Sequence, residues 1–264
     1  MFGLNIAVGI ATLTLSRPPV NAISEEWLRL FDARLDELAA REDWKVLHIR
    51  SDQKVFCAGA DLVEVRARME SRAGPNEMYA YVASIQRLYA RIERLPQVTL
   101  AEIGGAAMGG GLELALACDL RIAAVEAKLG LPEVRLGLIP GAGGTQRLTR
   151  LCGRPVAARL ILAAETLDGS AACDLGIVQW AVPRAELPKR SSEIARGVAG
   201  LPAAALAAGK ACIAAAGEPG QGGFSDELEA TRRLLTNEET RRRVQAFLDG
   251  AAGEPTRLKK GAAL

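Results

Sequence analysis

Hydrophobic residues follow a strand-like spacing at the start of the chain and a helical spacing soon after it. Residues 6–16 alternate between apolar and polar and are interrupted at Gly9, which predicts a hairpin or two consecutive strands. Apolar residues then recur every three or four positions from Ser24 to about Arg41, which predicts a helix capped by the Ser24 side chain. The run over residues 45–50 predicts a buried strand. Strands and helices therefore alternate from the beginning.

The same alternation continues through the middle of the chain. A turn over residues 55–62 leads into a helix, and residues 67–76 predict a polar, mobile segment. Residues 78–95 have helical periodicity that ends before Pro96. Further short strands are predicted over residues 98–103, 120–124 and 128–130. This order of elements indicates an α/β core.

Helical patterns dominate beyond Arg154, with one strand-like run at residues 178–182. An alanine-rich helix, a glycine-rich break at residues 217–223 and a charged helical region follow Pro202. We therefore predict an α/β core over residues 1–198 and a helical region over residues 199–264, whose last residues form a flexible tail. Since the helical region has no obvious core of its own, we expect it to pack on another subunit or back onto its own domain.

Composition limits the classes of partner. The chain of 264 residues is 49% hydrophobic, and its 33 basic and 31 acidic residues nearly cancel, so no nucleic-acid partner is expected. No apolar run approaches about 18 residues, so no membrane span is expected either. The five cysteines are scattered and form no close pair of the kind that zinc sites use, so we expect no metal site. Scattered cysteines and an N-terminus unlike a signal peptide predict a cytoplasmic protein.

The single histidine limits the possible chemistry. His48 lies in the predicted strand over residues 45–50, where a structural role is the stronger interpretation. Serine and cysteine nucleophiles usually need an imidazole to accept their proton, so a histidine-dependent triad is disfavoured. Carboxylates must then perform any acid/base work.

Three glycine-bearing loops follow strands and precede helices, at residues 58–60, 109–111 and 141–144. None has the spacing of a phosphate loop or of a dinucleotide fingerprint. If the first two loops lie side by side, their N–H groups form a two-donor oxyanion hole. Glu113 follows one loop in a first helical turn, and Glu133 lies further along the chain. Either motif alone is more often structural, but together they predict acid/base chemistry on an enolisable carbonyl.

Four segments, in the same order over about residues 4–250, resemble the crotonase, or enoyl-CoA hydratase/isomerase, family. They are Arg17-Pro18-Pro19-Val20-Asn21-Ala22-Ile23, Phe56-Cys57-Ala58-Gly59-Ala60-Asp61-Leu62, Gly109-Gly110-Gly111-Leu112-Glu113-Leu114, and the stretch from Leu131-Pro132-Glu133 to Gly141-Ala142-Gly143-Gly144-Thr145-Gln146-Arg147-Leu148. The resemblance implies an α/β spiral of repeated ββα units with a C-terminal α-helical trimerisation region. It also implies a homo-oligomer, either a trimer or a hexamer of two trimers, and a coenzyme A thioester as substrate with no separate cofactor.

The resemblance also assigns roles to individual positions. Ala60 and Gly110 match the two N–H donors that hold the thioester oxygen, Glu113 the residue that orients and deprotonates water, and Glu133 the proton donor to Cα. A further position matches an N–H that helps to hold the water, and four others line the CoA pocket. They are Gly141 for the water and Val20, Ala58, Asp61 and Leu62 for CoA.

Both carboxylates are present, which favours 2-enoyl-CoA hydration within this family, since members with other reactions commonly replace one or both. A Δ3,Δ2-enoyl-CoA isomerase is the alternative in the same family. A non-catalytic RNA-binding or scaffold relative is the alternative of another class. The balanced charge and the lack of a basic stripe with interleaved aromatic residues disfavour the last of these.

Overall fold

The computed structural model describes residues 1–216 and 223–248, and its α/β core is built from two sheets and the helices that cover them. Among these residues the strands are β1 (Phe2–Ala7), β2 (Gly9–Leu15), β3 (Trp44–Ser51), β4 (Val98–Ile103), β5 (Ala107–Met108), β6 (Leu120–Ala124), β7 (Lys128–Gly130), β8 (Thr166–Asp168) and β9 (Trp180–Val182). The α-helices are α1 (Glu25–Ala39), α2 (Leu62–Glu70), α3 (Gly74–Glu93), α4 (Gly110–Leu116), α5 (Gly144–Ile161), α6 (Gly169–Asp174), α7 (Leu187–Ala199), α8 (Ala203–Ala215), α9 (Gly223–Thr236) and α10 (Glu238–Leu248).

The larger sheet has the strand order β1-β2-β3-β4-β6-β9. The first pair is antiparallel and turns at Val8 and Gly9, which have φ of 51° and 74°, so the predicted break between two consecutive strands is confirmed. Every later pair in this sheet is parallel, and each residue of β4 is buried. A smaller sheet has the order β5-β7-β8. Parallel pairing explains the near-continuous apolar runs of the central strands.

Helix α1 forms as its spacing predicts. The Ser24 hydroxyl accepts a hydrogen bond from the N–H of Trp27 at 3.1 Å and so caps the helix. One face is buried, and Phe2 of β1 packs edge-on against two of its rings. The buried residues are Trp27, Leu28, Phe31, Leu35 and Leu38.

Most of residues 67–76, which the sequence predicted as a polar and mobile segment, is helical. Helix α2 continues to Glu70 and α3 begins at Gly74. Arg68, in the last turn of α2, is buried, pairs with Glu25 and Glu64, and lies 4.4 Å above the ring of Tyr81. These tertiary contacts stabilise a helix that composition alone does not indicate.

The chain divides into two compact units, Met1–Gly200 and Leu201–Leu264. The first holds both sheets and helices α1 to α7, and the second holds α8, α9 and α10, of which α8 and α9 contact each other. Most of the predicted break at 217–223 and the predicted flexible tail lie outside the described residues. No single helix of the described ranges is long and apolar enough to cross a membrane. Within these ranges, only α7 and α8 taken together have the length and composition of a membrane-spanning segment.

Candidate active site

Backbone hydrogen bonds fix the turn at residues 58–61 between two neighbouring segments. On one side the carbonyl of Val20 accepts from the N–H of Ala58 at 3.0 Å, and the carbonyl of Ile23 accepts from the N–H of Asp61 at 2.8 Å. On the other side the carbonyl of Cys57 accepts from the N–H of Met108 at 3.0 Å. The turn is therefore held against the segment that opens α4.

The two turns meet through glycines that allow close approach. A Cβ on Gly59, where φ is +96°, would lie 3.2 Å from the nitrogen of Gly110. A Cβ on Gly110 would lie 3.7 Å from the nitrogen of Ala60. Among the described residues, neither of these two nitrogens has a hydrogen-bond acceptor. The structure thus places two free N–H donors side by side, as an oxyanion hole requires.

Tyr89 of α3 binds the Gly110–Gly111 peptide, which directly follows the N–H donor of Gly110. Its hydroxyl donates to the carbonyl of Gly110 at 2.7 Å, and the whole side chain is buried. Burial raises the pKa of Tyr89 well above its usual value, so the hydroxyl remains a neutral donor. The sequence predicted only that Tyr89 lies within the helix over residues 78–95, and no sequence signal indicates this contact.

Glu113 lies in the first turn of α4 and is only 3% exposed. Its Oε1 accepts a hydrogen bond from the N–H of Gly144 at 2.7 Å, and the N–H of Ala142 also faces the carboxylate. Burial raises the pKa of Glu113 to about 7, and the negative charge of Glu133 contributes in the same direction, while the two N–H groups oppose the shift. A group that titrates near neutral pH is suited to general acid/base catalysis.

Glu133 follows β7 at the start of a 3-10 turn and lies against the N-cap of α4. A Cβ on Gly109 would lie 2.8 Å from Oε1 of Glu133, and Gly109 itself has φ of +52°, so a glycine is required there for both space and conformation. Burial raises the pKa of Glu133 as well. Its Oε2 is buried without a hydrogen-bond partner among the described residues, so this oxygen can bind a ligand.

The loop at residues 141–144 is held from outside by side chains of α3 and α5. The amide of Gln86 donates to the carbonyl of Gly141 at 2.5 Å. Arg147 donates to the carbonyl of Ala142 at 3.0 Å and pairs with Glu93 at 2.9 Å. Gly141, predicted to hold water, therefore lies in the same loop as the N–H groups that face Glu113. The sequence did not indicate a role for Gln86, because the residues around it in the chain give no sign of a contact with the distant backbone of Gly141.

Of the four positions predicted to line a CoA pocket, Ala58, Asp61 and Leu62 lie in one turn, and the backbone carbonyl of Val20 binds the N–H of Ala58 beside them. Val20 is half-buried, Ala58 is exposed, and Leu62 is exposed at the start of α2. Asp61 caps α2 through the N–H of Val63 and pairs with Arg17 at 2.8 Å. Although burial acts to raise it, these two partners lower the pKa of Asp61, which keeps the carboxylate ionised.

His48 is buried in β3, where its Nε2 lies 3.0 Å from Oε2 of Glu102 in β4. The same carboxylate accepts from the hydroxyl of Ser191 at 2.5 Å. These contacts agree with a structural role for His48. Within residues 1–216 and 223–248, no group of three or more His, Cys, Asp or Glu side chains lies close enough to hold a metal ion.

Comparison with known proteins shows which sequences this chain resembles. A model of the family described as enoyl-CoA hydratase/isomerase matches residues 5–252. The putative enoyl-CoA hydratase/isomerase YngF of Bacillus subtilis is 37% identical over 241 residues, which cover 90% of this chain and 91% of the relative. The probable mitochondrial enoyl-CoA hydratase 2 of Arabidopsis thaliana is 43% identical over 192 residues, or 72% of this chain, and the match covers less than two-thirds of that relative, 62%.

Solved structures share the fold along nearly the whole chain. The crystal structure of an enoyl-CoA hydratase from Bacillus anthracis superposes with a TM-score of 0.88 at 32% identity, covering 94% of this chain and 96% of the other. This agreement confirms the predicted crotonase-type α/β fold. With the fold, the family match and the relatives in agreement, the chain belongs to the crotonase family of enoyl-CoA hydratases and isomerases.

Proposed function

We propose that this enzyme adds water to 2-trans-enoyl-CoA thioesters and releases 3-hydroxyacyl-CoA. The observation that carries the proposal is the pairing of the buried carboxyl group of Glu113 with that of the half-buried Glu133, beside the two free N–H groups of Ala60 and Gly110. Hydration needs both a base for water and an acid for carbon, as well as donors for the thioester oxygen. This set of groups supplies each of them.

In the proposed reaction the water oxygen bonds to Cβ while Glu113 accepts a water proton. The electron pair of the Cα–Cβ double bond moves toward the thioester oxygen, where the N–H groups of Ala60 and Gly110 stabilise the developing negative charge. Glu133 then donates its proton to Cα, which restores the thioester carbonyl. A turnover leaves Glu113 protonated and Glu133 ionised, so one proton must return from the first to the second before the next cycle.

The electrostatics of the two carboxyl groups suit these different roles. Burial raises the pKa of both, and the charge of Glu133 disfavours ionisation of Glu113. Two neighbouring carboxyl groups whose pKa values are both raised are suited to exchanging a proton during a reaction. Two main-chain N–H groups stabilise the ionised form of Glu113, whereas Oε2 of Glu133 lacks such a donor among the described residues. This asymmetry supports Glu113 as the base and Glu133 as the acid.

The proposal is tested by hydration of crotonyl-CoA by the wild type and by Glu113→Gln and Glu133→Gln. Each substitution keeps the side-chain shape and removes the proton transfer, so kcat falls by about 10² to 10⁴. Glu165→Gln is the matched control, because Glu165 forms a surface pair with Arg159, and it retains wild-type activity. Turnover near the wild-type level in either site variant would refute the proposal.

The same assay separates hydration from isomerisation. A 3-enoyl-CoA supplied in heavy water to an isomerase yields only the shifted alkene, whereas a hydratase with this site converts crotonyl-CoA directly to the hydroxyacyl product. An enzyme that shifts the double bond but adds no water to crotonyl-CoA contradicts the proposed function and supports the isomerase alternative.

We further propose that the enzyme acts in the cytoplasm as a homo-oligomer, a trimer or a hexamer, through the Leu201–Leu264 unit. Large apolar side chains of α8 and α9 support this proposal, since they are exposed in the single chain: Ile213, Phe224 and Leu228 are 78%, 87% and 74% exposed. Exposed apolar groups of this size are typical of surfaces that another chain covers.

A further inference from the structure

One face of α3 contacts both halves of the site. Tyr89 binds the carbonyl of Gly110, and Glu93 pairs with Arg147, which binds the carbonyl of Ala142. One turn before Tyr89, Gln86 donates its amide N–H to the carbonyl of Gly141 at 2.5 Å. Of these contacts, that of Gln86 has the most direct connection to Glu113.

That connection runs through a single peptide group. The carbonyl of Gly141 and the N–H of Ala142 belong to the same planar unit, so a donor that fixes the carbonyl also fixes the direction of the N–H. This N–H faces the carboxylate of Glu113. A hydrogen bond to the carbonyl also polarises the peptide, which makes its N–H a stronger donor.

The second donor to Glu113 has equivalent support from the backbone. The N–H of Gly144 shares its peptide with the carbonyl of Gly143, which accepts from the N–H of Arg147 at 2.8 Å and from that of Gln146 at 3.1 Å. The first turn of α5 thus fixes that peptide. No helix turn fixes the Gly141–Ala142 peptide, and the Gln86 side chain takes this place.

Building on the proposed hydration, we propose that Gln86 is a positioning residue for Glu113. Its carboxamide holds the Gly141–Ala142 peptide so that the N–H of Ala142 remains directed at the Glu113 carboxylate. Gln86 is exposed on α3 and its carboxamide binds a backbone carbonyl, so it acts on the reaction through this peptide. The side chain keeps the base ionised and oriented toward water.

The test uses two variants of Gln86 and one control. Gln86→Met keeps the length and the helix propensity but removes the donor, and Gln86→Glu keeps the shape but places an acceptor against the carbonyl. Arg87→Met is the matched control on the next residue of the same exposed helix stretch. All three variants are expected to fold, which circular dichroism and thermal unfolding check.

For Gln86→Met we expect kcat for crotonyl-CoA at pH 7 to fall roughly three- to tenfold, with KM unchanged. The acid limb of the pH profile shifts upward by roughly 0.5 to 1 unit, since a hydrogen bond to the ionised form is weakened. Gln86→Glu shifts the limb at least as far, and Arg87→Met leaves it in place. A Gln86→Met profile that coincides with the wild type, or that falls equally at all pH values, overturns the proposal, because the second result indicates packing alone.

A measurement without turnover separates this proposal from the proposed function. Titration of the protonated carboxyl band in infrared difference spectra, assigned by its loss in Glu113→Gln, reports the pKa of Glu113 directly. An upward shift in Gln86→Met supports the positioning role even if the wild type fails to hydrate crotonyl-CoA. If the wild type does hydrate crotonyl-CoA, an unshifted band in Gln86→Met overturns the positioning role alone.

Discussion

Replacing Glu113 with Gln changes how the stability of the fold depends on pH, apart from its effect on activity. In the folded protein burial raises the pKa of Glu113 to about 7, whereas an unperturbed glutamate has a pKa of 4.5. The folded state therefore binds a proton more tightly than the unfolded state between these two values. By linkage, the wild type loses stability as pH rises through this window, and the loss is complete above about pH 7.

The magnitude follows from the width of the window. A difference of about 2.5 units corresponds to roughly 3 kcal/mol, at about 1.36 kcal/mol per unit. Between pH 5 and pH 8 the greater part of this, about 2.5 kcal/mol, is lost from the free energy of unfolding. Glutamine does not ionise, so Glu113→Gln lacks this loss. Burying the glutamine amide adds a cost of its own, but that cost is the same at every pH.

The assay is urea unfolding of the wild type and Glu113→Gln at several pH values from 5 to 8, at one fixed protein concentration because oligomerisation adds a concentration-dependent contribution. The difference in unfolding free energy between the two proteins should move by about 2.5 kcal/mol in favour of the variant as pH rises. Glu165→Gln serves as control, since the pKa of Glu165 is lowered by Arg159 at the surface. Parallel curves for the wild type and Glu113→Gln would show that Glu113 ionises normally, and the account of the site would be wrong.

Two further predictions concern the donors of the oxyanion hole. Gly110→Ala adds a methyl group 2.9 Å from Cδ1 of Ile23, which forces a small shift beside the N–H groups. We therefore expect kcat/KM for crotonyl-CoA to fall by roughly 10². Gly197→Ala is the control and has no effect, because its added methyl group meets open space. Tyr89→Phe removes the buried side-chain hydrogen bond to the carbonyl of Gly110, so unfolding free energy should fall by about 1 kcal/mol and kcat by several-fold, whereas Tyr79→Phe, at a 78% exposed tyrosine, changes neither. An unchanged kcat in Gly110→Ala, or an unchanged stability in Tyr89→Phe, contradicts the corresponding contact.

The spacing of apolar residues predicted helices with one buried face and strands that are wholly buried. Helix α1, the strand pair broken at Gly9, and strand β4 all lie where apolar spacing indicated them. Short strands were the exception, because β5 and β8 span only two and three residues and carry no periodicity. Motif resemblance, rather than periodicity, indicated which loops meet, and the structure brings the 58–60 and 109–111 loops together as required.

Contacts between distant residues explain what the sequence did not reveal. The segment around Arg68 has the composition of a loop, but ion pairs and the Tyr81 ring stabilise it as helix. Gln86 and Tyr89 each bind a backbone carbonyl from another loop. Every residue has a backbone carbonyl, so the residue type at the partner position does not indicate such a contact. Residue types along the chain therefore could not pair Gln86 and Tyr89 with their partners.

The main-chain origin of the donors has a consequence for how this scaffold can diversify. The groups that face the thioester oxygen in the proposed reaction, and those that stabilise Glu113, are peptide N–H groups held by loop geometry. Mutation of a side chain does not delete a peptide donor so long as the loop keeps its path. Residues around the acyl chain can therefore exchange size and polarity during evolution, and new substrates become accessible without rebuilding the electrostatic machinery.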